Sequence, residues 1–514
     1  MSSGDLPPSD PLTPDALSEA AAGNTQPLAH RAVRGGMWVV ASSYWTIGFG
    51  FAANILLTRL LTPEVYGEYA LAVFFATLFQ LRTKVGLSYA FAQEKTVNGG
   101  GVGTVFALDV ALGIGSVLVG AIAAPILLRV GYSPAIVTMM LVLLLFSFGE
   151  SFLSVFQVIL DKDLHFKPGS VIGSIILPLS YAPAFWLAWT GRGGWSLISQ
   201  AVTFSLLSIL FYAVFIVRRM GWVFRLPWRF ERQRARRYVS YGTQSGIAGF
   251  IATMVSQTDN FVVGTRSGAA ALGYYDRGYR TAQWPNLLLN TLLTRSALFT
   301  YAQLKDDAAR LRKAVSMVIW LIVSLAAPIG LALWVTAPDL ILLVYGERWL
   351  PAVPILRVLV AAAILRPLWD NVFALFVGTG RPRLAIWIGA AQLAIIFGLG
   401  WVLGGFYGPV GVGVAVIVAY VCALAAAHHY TNTLLKLDFV DLFAKPLLAA
   451  GLVIAGYALL NQLLPVQDWP LLLRTLAKGA YAVAGYYLIS FMVQPRATVE
   501  RAQYICTLLR RQPS

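Results

Sequence analysis

GMWVVASSYWTIGFGFAANILL, residues 36–57, runs for 22 residues without one charged side chain. A helix rises about 1.5 Å per residue, so the run measures about 33 Å and matches the roughly 30 Å hydrocarbon core of a bilayer. Arg31 and Arg34 stand before it and Arg59 just after it. It is longer than the roughly 7–15-residue apolar core of a cleavable signal, and it begins too late in the chain. It reads as a retained membrane span.

The rest of the chain repeats this pattern. Of 514 residues, 58% are hydrophobic and 12% charged, against roughly 25% charged in a soluble domain. Mean hydropathy is +0.69. So little charge cannot cover a soluble surface, which excludes a soluble enzyme, a disordered scaffold and a coiled coil. Two cysteines imply neither a disulfide framework nor a cysteine metal site. The expected fold class is an all-α integral membrane protein with fourteen transmembrane helices, near 36–58, 68–91, 104–128, 135–159, 169–190, 195–217, 240–263, 273–300, 314–337, 353–378, 384–404, 409–430, 445–464 and 471–493.

The net charge of +16 tests that count. With the N-terminus inside, the connections on the inner side carry 25 Lys and Arg and those on the outer side only five, Arg59, Arg129, Arg192, Arg266 and Arg348. The positive-inside rule then places both termini in the cytoplasm, because a missed or invented span would reverse part of the alternation. Residues 1–30 are expected to form a disordered cytoplasmic tail, and 494–514 a basic cytoplasmic tail lying on membrane lipids. The richest inner connection, 218–239, holds eight arginines among Trp222, Phe224, Trp228 and Phe230. Basic and aromatic together suit anionic headgroups, and no nucleic-acid-binding fold surrounds them.

That basic linker separates two related halves, 31–217 and 240–432. Thr58-Arg59 with Tyr66-Gly67-Glu68-Tyr69 is echoed by Thr265-Arg266 with Leu272-Gly273-Tyr274-Tyr275. Gly193-Gly194 before the sixth span is echoed at Gly408-Pro409-Val410-Gly411 before the twelfth. Both echoes fall six spans apart, an even number, so the expectation is two parallel six-helix lobes, with helices thirteen and fourteen (433–493) appended.

A charge inside a span costs several kcal/mol unless it meets a partner or a wet cavity. The cations concentrate in equivalent places, with Arg82 and Lys84 in the second span and Arg277, Arg280 and Arg295 in the eighth. This predicts a central cationic cavity between the lobes. Arg277 and Arg280, three apart, share a helix face, and the planar guanidinium fork suits phosphate or diphosphate oxygens. Arg82 and Lys84 stand equally well near the inner end of their helix. Arg366 in the tenth span either joins the cavity or pairs with Asp370 one turn on. Asp259, in Gln257-Thr258-Asp259-Asn260, has the oxygen-rich company that Na⁺ or a transported proton needs, or it pairs with Arg266 or caps a helix. Asp370-Asn371 repeats that chemistry and can face it. Glu150 and Asp109 are single carboxylates, equally readable as structural. No cofactor motif is present, and no Walker A sequence offers ATP-driven transport.

The run Leu56-Leu57-Thr58-Arg59-Leu60-Leu61-Thr62-Pro63-Glu64-Val65-Tyr66-Gly67 resembles the helix one to helix two signature of Wzx-like polysaccharide flippases, a branch of the multidrug/oligosaccharidyl-lipid/polysaccharide (MOP) exporter superfamily. Asp259-Asn260-Phe261-Val262-Val263-Gly264 and Leu272-Gly273-Tyr274-Tyr275-Asp276-Arg277-Gly278-Tyr279-Arg280 are similar to the matching second-half motif. The resemblance covers about 31–440. It implies a multi-pass protein of the bacterial inner membrane that flips an undecaprenyl-diphosphate-linked oligosaccharide to the periplasmic leaflet. Alternating access coupled to Na⁺ or H⁺ would drive it, alongside polymerase and chain-length-control proteins of the same export system. By this resemblance Arg277 and Arg280, then Arg82 and Lys84, would contact the diphosphate, with Arg295 and Arg366 as further cavity candidates. Asp259 would serve the coupling ion, with Asp370 as partner and Glu150 as a further candidate. Two other classes stand beside this one. A multidrug cation antiporter of the same superfamily favours acidic cavities, and a polysaccharide polymerase or ligase carries a large outer loop with catalytic arginines, whereas the outer connections here are short.

Overall fold

A computed structural model describes residues 25–81, 85–94, 98–162, 166–219, 223, 227–286, 297–298, 300–435, 443–463, 468–493 and 495. Over these residues the regular structure is helical: α1 (Thr25–Leu60), α2 (Pro63–Phe79), α3 (Leu87–Ala92), α4 (Gly99–Val130), α5 (Pro134–Lys162), α6 (Phe166–Trp189) and α7 (Trp195–Arg219). The second half contributes α8 (Arg232–Val255), α9 (Thr258–Ala282), α10 (Ala308–Val344), a short 3₁₀ turn (Glu347–Trp349), α11 (Ala352–Gly378), α12 (Pro382–Leu435), α13 (Lys445–Leu463) and α14 (Leu471–Val493). Local chemistry sets several boundaries. Asn98 caps α4 by accepting from the Gly101 amide at 2.9 Å, and Gly131 ends that helix at φ 104°, in the left-handed region. Asp307 caps α10 through the Arg310 amide at 3.0 Å. Pro63 occupies the first turn of α2, where its missing N–H costs nothing. α1 begins at Thr25, inside the stretch expected to be tail.

Helices and crossings do not correspond one to one. Nine helices among the described residues are long and apolar enough to cross a membrane. One of these, Pro382–Thr431, is 50 residues long and breaks at Gly408 (φ 58°) before Pro409, so its two arms each suffice for a bilayer. α9 breaks likewise at Gly268 (φ 87°). The segments expected at 68–91, 240–263, 273–300 and 445–464 are helical over their described residues, wholly or in part, and fall outside the nine. α2 is short, with 17 residues, and α8 and α9 carry many polar side chains. Large apolar side chains such as Trp186, Trp189 and Phe406 stand exposed on the bundle exterior, which suits lipid contact.

Within the first half α1 packs on α6, α6 on α7, α4 on α5 and α5 on both α2 and α7. In the second half α11 packs on α10 and α12, α9 on α11 and α12, and α10 on α14. The halves meet at two places. The larger is the α2–α9 contact, the most extensive helix pair among the described residues, and the smaller is α8 against α3 and α4. The second lies at the start of α4. The first lies near its other end, where the Tyr132 hydroxyl meets the Thr265 hydroxyl at 2.8 Å. The 32 residues of α4 put these ends about 48 Å apart.

Candidate functional site

The α2–α9 junction is built from the two echoing motifs. A Cβ added to Gly67 would run into the Ala269 carbonyl, and one added to Gly273 into the Pro63 carbonyl. Gly67 and Gly273 are equivalent in the two motifs, as are Pro63 and Ala269, each four residues earlier. The contact is therefore reciprocal, each helix presenting its glycine to the other's backbone. Trp349 closes the side, its indole nitrogen donating to the Thr58 carbonyl at 3.0 Å and its ring lying edge-on to Tyr66 at 5.7 Å. Arg59 donates to the carbonyls of Leu343 and Val344.

Arg277 crosses this junction. Its side chain is 2% exposed. It pairs with Asp276 at 2.6 Å, donates to Asn54 and to the Thr58 hydroxyl at 3.2 Å, and lies 4.1 Å from the centre of the Tyr66 ring. Arg277 and Arg280, expected to share a helix face, stand in different settings. Three residues advance a helix by about 4.5 Å, and that rise places Arg277 level with the helix crossing and Arg280 beyond it. Arg280 is 56% exposed and pairs through Nε with Asp276 at 2.9 Å. Among the described residues only its Nε meets an acceptor, Asp276. Asp276, which the sequence candidates omitted, holds both arginines. Its signal was position: a carboxylate beside Arg277 and one turn before Arg280.

The second half holds a further polar cluster. Asp259 accepts from the Tyr275 hydroxyl at 2.9 Å and from the Asn260 amide at 2.8 Å. It does not pair with Arg266, which stacks over Trp401 at 5.1 Å. Arg366 donates to the Tyr279 hydroxyl at 2.5 Å, in place of a direct ion pair with Asp370, and lies within electrostatic reach of both Asp259 and Asp370. Asn371 turns away from Asp259 and accepts from Tyr301 at 2.8 Å. Arg366, Asp370, Ser256, Tyr420 and Gln392 line a cavity of about 230 Å³. Gln392 is 1% exposed, and among the described residues neither end of its amide has a partner. A search of the spans for ionisable groups alone passes over it; a search for any polar group finds it.

In the first half Glu150 lines a cavity of about 290 Å³ with Gln80, Ser147, Thr77 and Ser205. Asp109 accepts from the Ser154 hydroxyl. Arg82, Lys84 and Arg295 lie outside the described residues. Near the far end of the second half, Asp339 binds Arg474 at 2.6 Å and Lys478 at 2.7 Å, tying α14 to α10.

The α8 junction is of another kind. Arg234 reaches Glu94 at 3.2 Å and Glu231 at 2.6 Å, and Asn98 at 2.7 Å. Arg237, 68% exposed, reaches Glu94 at 3.2 Å. Tyr238 lies against them, and burial with the adjacent Glu94 carboxylate holds its phenol above the usual range. Together with Gln93 and Tyr241 these groups line a cavity of about 440 Å³. The glycine run at the start of α4 makes room for the linker. A Cβ on Gly99 would strike Pro227, and one on Gly103 would come within 2.8 Å of the Arg229 backbone. Thr104 then accepts from the Glu231 amide at 2.9 Å. The three consecutive glycines Gly99-Gly100-Gly101 were the available signal for this seat, but the sequence does not say which distant segment fills it.

Residues 56–354 match the family model described as polysaccharide biosynthesis protein. The chain is 24% identical over 365 residues to the lipopolysaccharide biosynthesis protein WzxC of Escherichia coli, covering 69% of this chain and 71% of the relative. It is 26% identical over 364 residues to the succinoglycan biosynthesis transport protein ExoT of Rhizobium meliloti, covering 68% and 70%. In fold it is similar to the lipid II flippase MurJ in an inward closed conformation, with a TM-score of 0.68, 14% identity and coverage of 89% of this chain and 100% of that one. An inward-facing multidrug transporter of the MOP superfamily superimposes with a TM-score of 0.61, 17% identity and coverage of 76% and 95%. The motifs at Leu56–Gly67 and Asp259–Arg280 both lie inside the matched region, and the chain belongs to the polysaccharide biosynthesis protein family, whose Wzx members are its relatives.

Proposed function

We propose that this membrane transporter moves an undecaprenyl-diphosphate-linked oligosaccharide repeat unit from the cytoplasmic to the periplasmic leaflet of the inner membrane by alternating access. The single observation that carries the reading is Arg280. It stands beside the sealed α2–α9 junction, 56% exposed and held at Nε by a buried carboxylate, and among the described residues its two terminal nitrogens meet no acceptor. A guanidinium fixed at its stem and open at its fork suits a diphosphate and repels a cationic drug. Arg366 is its second-half companion, and Arg82, Lys84 and Arg295 are assigned to the same cationic cavity. Arg277 acts through the junction, keeping the α2–α9 seal and Asp276 in place.

Fourteen spans with both termini in the cytoplasm put the Arg277 junction at the periplasmic end and the Glu94 junction at the cytoplasmic end. Both are shut in this structure. Asp259, Asp370 and the unpartnered Gln392 around Arg366 form the coupling site for Na⁺ or H⁺, with Glu150 as a first-half candidate. Relatives named for lipopolysaccharide and succinoglycan biosynthesis support a glycan substrate.

Deleting the gene and recovering lipid-linked oligosaccharides tests the reading. A complete repeat unit should accumulate facing the cytoplasm, and Arg280→Gln should reproduce the defect at unchanged protein level. Periplasmic single units that fail to polymerise would instead identify a polymerase.

A further inference from the structure

The first-half cavity between α2, α5 and α7 entered the reading above only through Glu150. Tyr69, Thr77 and Gln80 line it from α2 and the residue that ends it. Their spacing, eight and then three residues, puts them on one helix face, as a stripe about 16 Å long. Opposite stand Ser147 and Glu150 of α5 and Ser205 of α7. Arg280 borders this stripe. Tyr69 lies within electrostatic reach of it, and so does Tyr181 of α6. Gly67 and Gly273 are equivalent, so Arg280, seven residues after Gly273, falls level with Phe74, between Tyr69 and Gln80.

The hydrogen-bonding groups of the cavity are lopsided. Thr77 donates its hydroxyl proton to the Val73 carbonyl at 2.8 Å, and Ser205 donates its own to the Phe146 carbonyl at 3.2 Å. Both oxygens are left as acceptors. Ser147 accepts from the Gln80 amide. A carboxylate offers about four acceptor positions, so Glu150 can take a further donor beside the partner it already has. Among the described lining residues Glu150 alone is charged, and none is a cation. Such a wall suits a ligand rich in O–H or N–H groups and rejects phosphate and carboxylate, which at neutral pH only accept. The Arg280 guanidinium is the reverse, with donors alone. A lone Na⁺ also takes oxygen ligands, but the cavity of about 290 Å³ is many times the roughly 30 Å³ share of one water, and the α2 groups are strung along the helix instead of gathered about a point.

We infer that this cavity is the subsite for the sugar joined to the diphosphate, and that it takes a neutral hexose or hexosamine and refuses a uronic acid. The sugar's hydroxyls donate to Thr77, Ser205 and Glu150 while the diphosphate lies on Arg280. A second carboxylate at this position would face Glu150 as a like charge with no cation among the lining residues to offset it. The diphosphate at Arg280 rests on the flippase reading above; the acceptor-rich wall does not.

The test uses the full chain in phosphatidylcholine nanodiscs and measures binding without transport. The probes are farnesyl diphosphate and the same diphosphate carrying glucose, N-acetylglucosamine or glucuronic acid. At least one of the two neutral sugars should bind tenfold or more tighter than the bare diphosphate, the effect of two or three net hydrogen bonds, and glucuronic acid should bind no better than the bare probe. Thr77→Val with Ser205→Ala should remove most of the sugar's advantage and keep the parent's affinity for bare farnesyl diphosphate, which also shows that the variant is folded. Glu150→Gln should bring the glucuronic acid probe to within a few-fold of the glucose probe. Neutral sugars that add no affinity, an advantage that survives in the Thr77 and Ser205 variant, or glucuronic acid preferred by the parent overturns the subsite and leaves the flippase reading standing. A second readout needs no lipid. With Cys422 and Cys506 replaced, methyl glucoside should protect Ser147→Cys from a thiol reagent, and sodium chloride should protect it no better than choline chloride. Protection by sodium and not by the glucoside makes this an ion site and overturns the proposal. Protection by the glucoside while no lipid probe binds supports the sugar site and fails the flippase reading.

Discussion

The two junctions between the halves share glycine contacts and differ in how much charge stands beside them in solvent. At the Arg277 junction the backbones touch through glycine, and Arg277 is buried with an acid, two polar side chains and an aromatic face around it. At the Glu94 junction Gly242 of α8 meets the Val85 carbonyl in the same way, and a charged cluster that includes the exposed Arg237 lies beside it around a cavity. A dry seal is set by shape and tolerates no added atom. The latch adds to its glycine contact a charged cluster, and that cluster is the part open to solvent. The proposed alternating access would need both ends to open, and the exposed charge at one of them is the difference that can be probed.

The largest effect should come from adding atoms to the dry seal. A Cβ at Gly67 or Gly273 meets a carbonyl of the partner helix, a backbone atom that cannot turn aside. Overpacking of this kind costs typically 1–3 kcal/mol for a side chain that can adjust, and backbone adjusts less. Gly67→Ala and Gly273→Ala should each reduce export of the surface glycan to a few per cent, and cysteines placed at Leu60 and Leu343 should become open to a membrane-impermeant thiol reagent. Gly100 carries the matching control at the wet end, because its added Cβ meets only the flexible end of Glu231. Gly100→Ala should leave the unfolding temperature of the purified protein within about 1 °C of the parent. If the outer and inner alanines behave alike, the contrast between seal and latch is lost.

Removing a charge should divide the two ends by a smaller margin. Arg277→Gln leaves Asp276 buried with Arg280 as its only remaining cation. Breaking a buried pair from one side costs about 3–5 kcal/mol, and the retained Arg280 should hold the loss to the lower end of that range. Arg237→Gln removes one arm of an exposed pair, for which about 0–1 kcal/mol is usual. Thermal unfolding in detergent should therefore separate the two variants by several degrees, with Arg277→Gln the lower. Equal unfolding temperatures would show that Arg277 is solvated in the working protein and that the seal is not dry.

Much of this was legible in the chain, and the limits of that reading are physical. The membrane character, the basic linker and the relation between Tyr66-Gly67 and Leu272-Gly273 all follow from composition and spacing. That the related glycines pack on one another does not follow, since a repeat tells which residues are equivalent and not which of them touch. Arg277 and Arg280 were found as intramembrane charges, but one turn of helix separates a buried pin from an open fork, and only the level of the helix crossing decides between them. Asp276 and Gln392 escaped for different reasons, the first because its neutralising role shows only when its neighbours are placed, the second because a neutral amide does not stand out in a span. The Glu94 latch depends on a contact between residues about 140 apart in sequence, which no local pattern can announce.

The smallest and most discriminating effect is that of salt. The Debye length falls from about 10 Å at 0.1 M to about 3 Å at 1 M, and buried pairs are screened far less than exposed ones. Disulfide trapping of Ala92→Cys with Gln233→Cys reports the latch, and trapping of Leu60→Cys with Leu343→Cys reports the seal. Raising NaCl from 0.1 to 1 M should slow the first about two- to threefold, since the arginines that hold Glu94 are partly in water, and leave the second unchanged. Sodium and potassium chloride should act equally, because the effect belongs to ionic strength and not to the coupling ion. Should the seal loosen with salt while the latch does not, solvent-exposed charge would matter more at the Arg277 junction than at the Glu94 junction, the reverse of what their exposures imply.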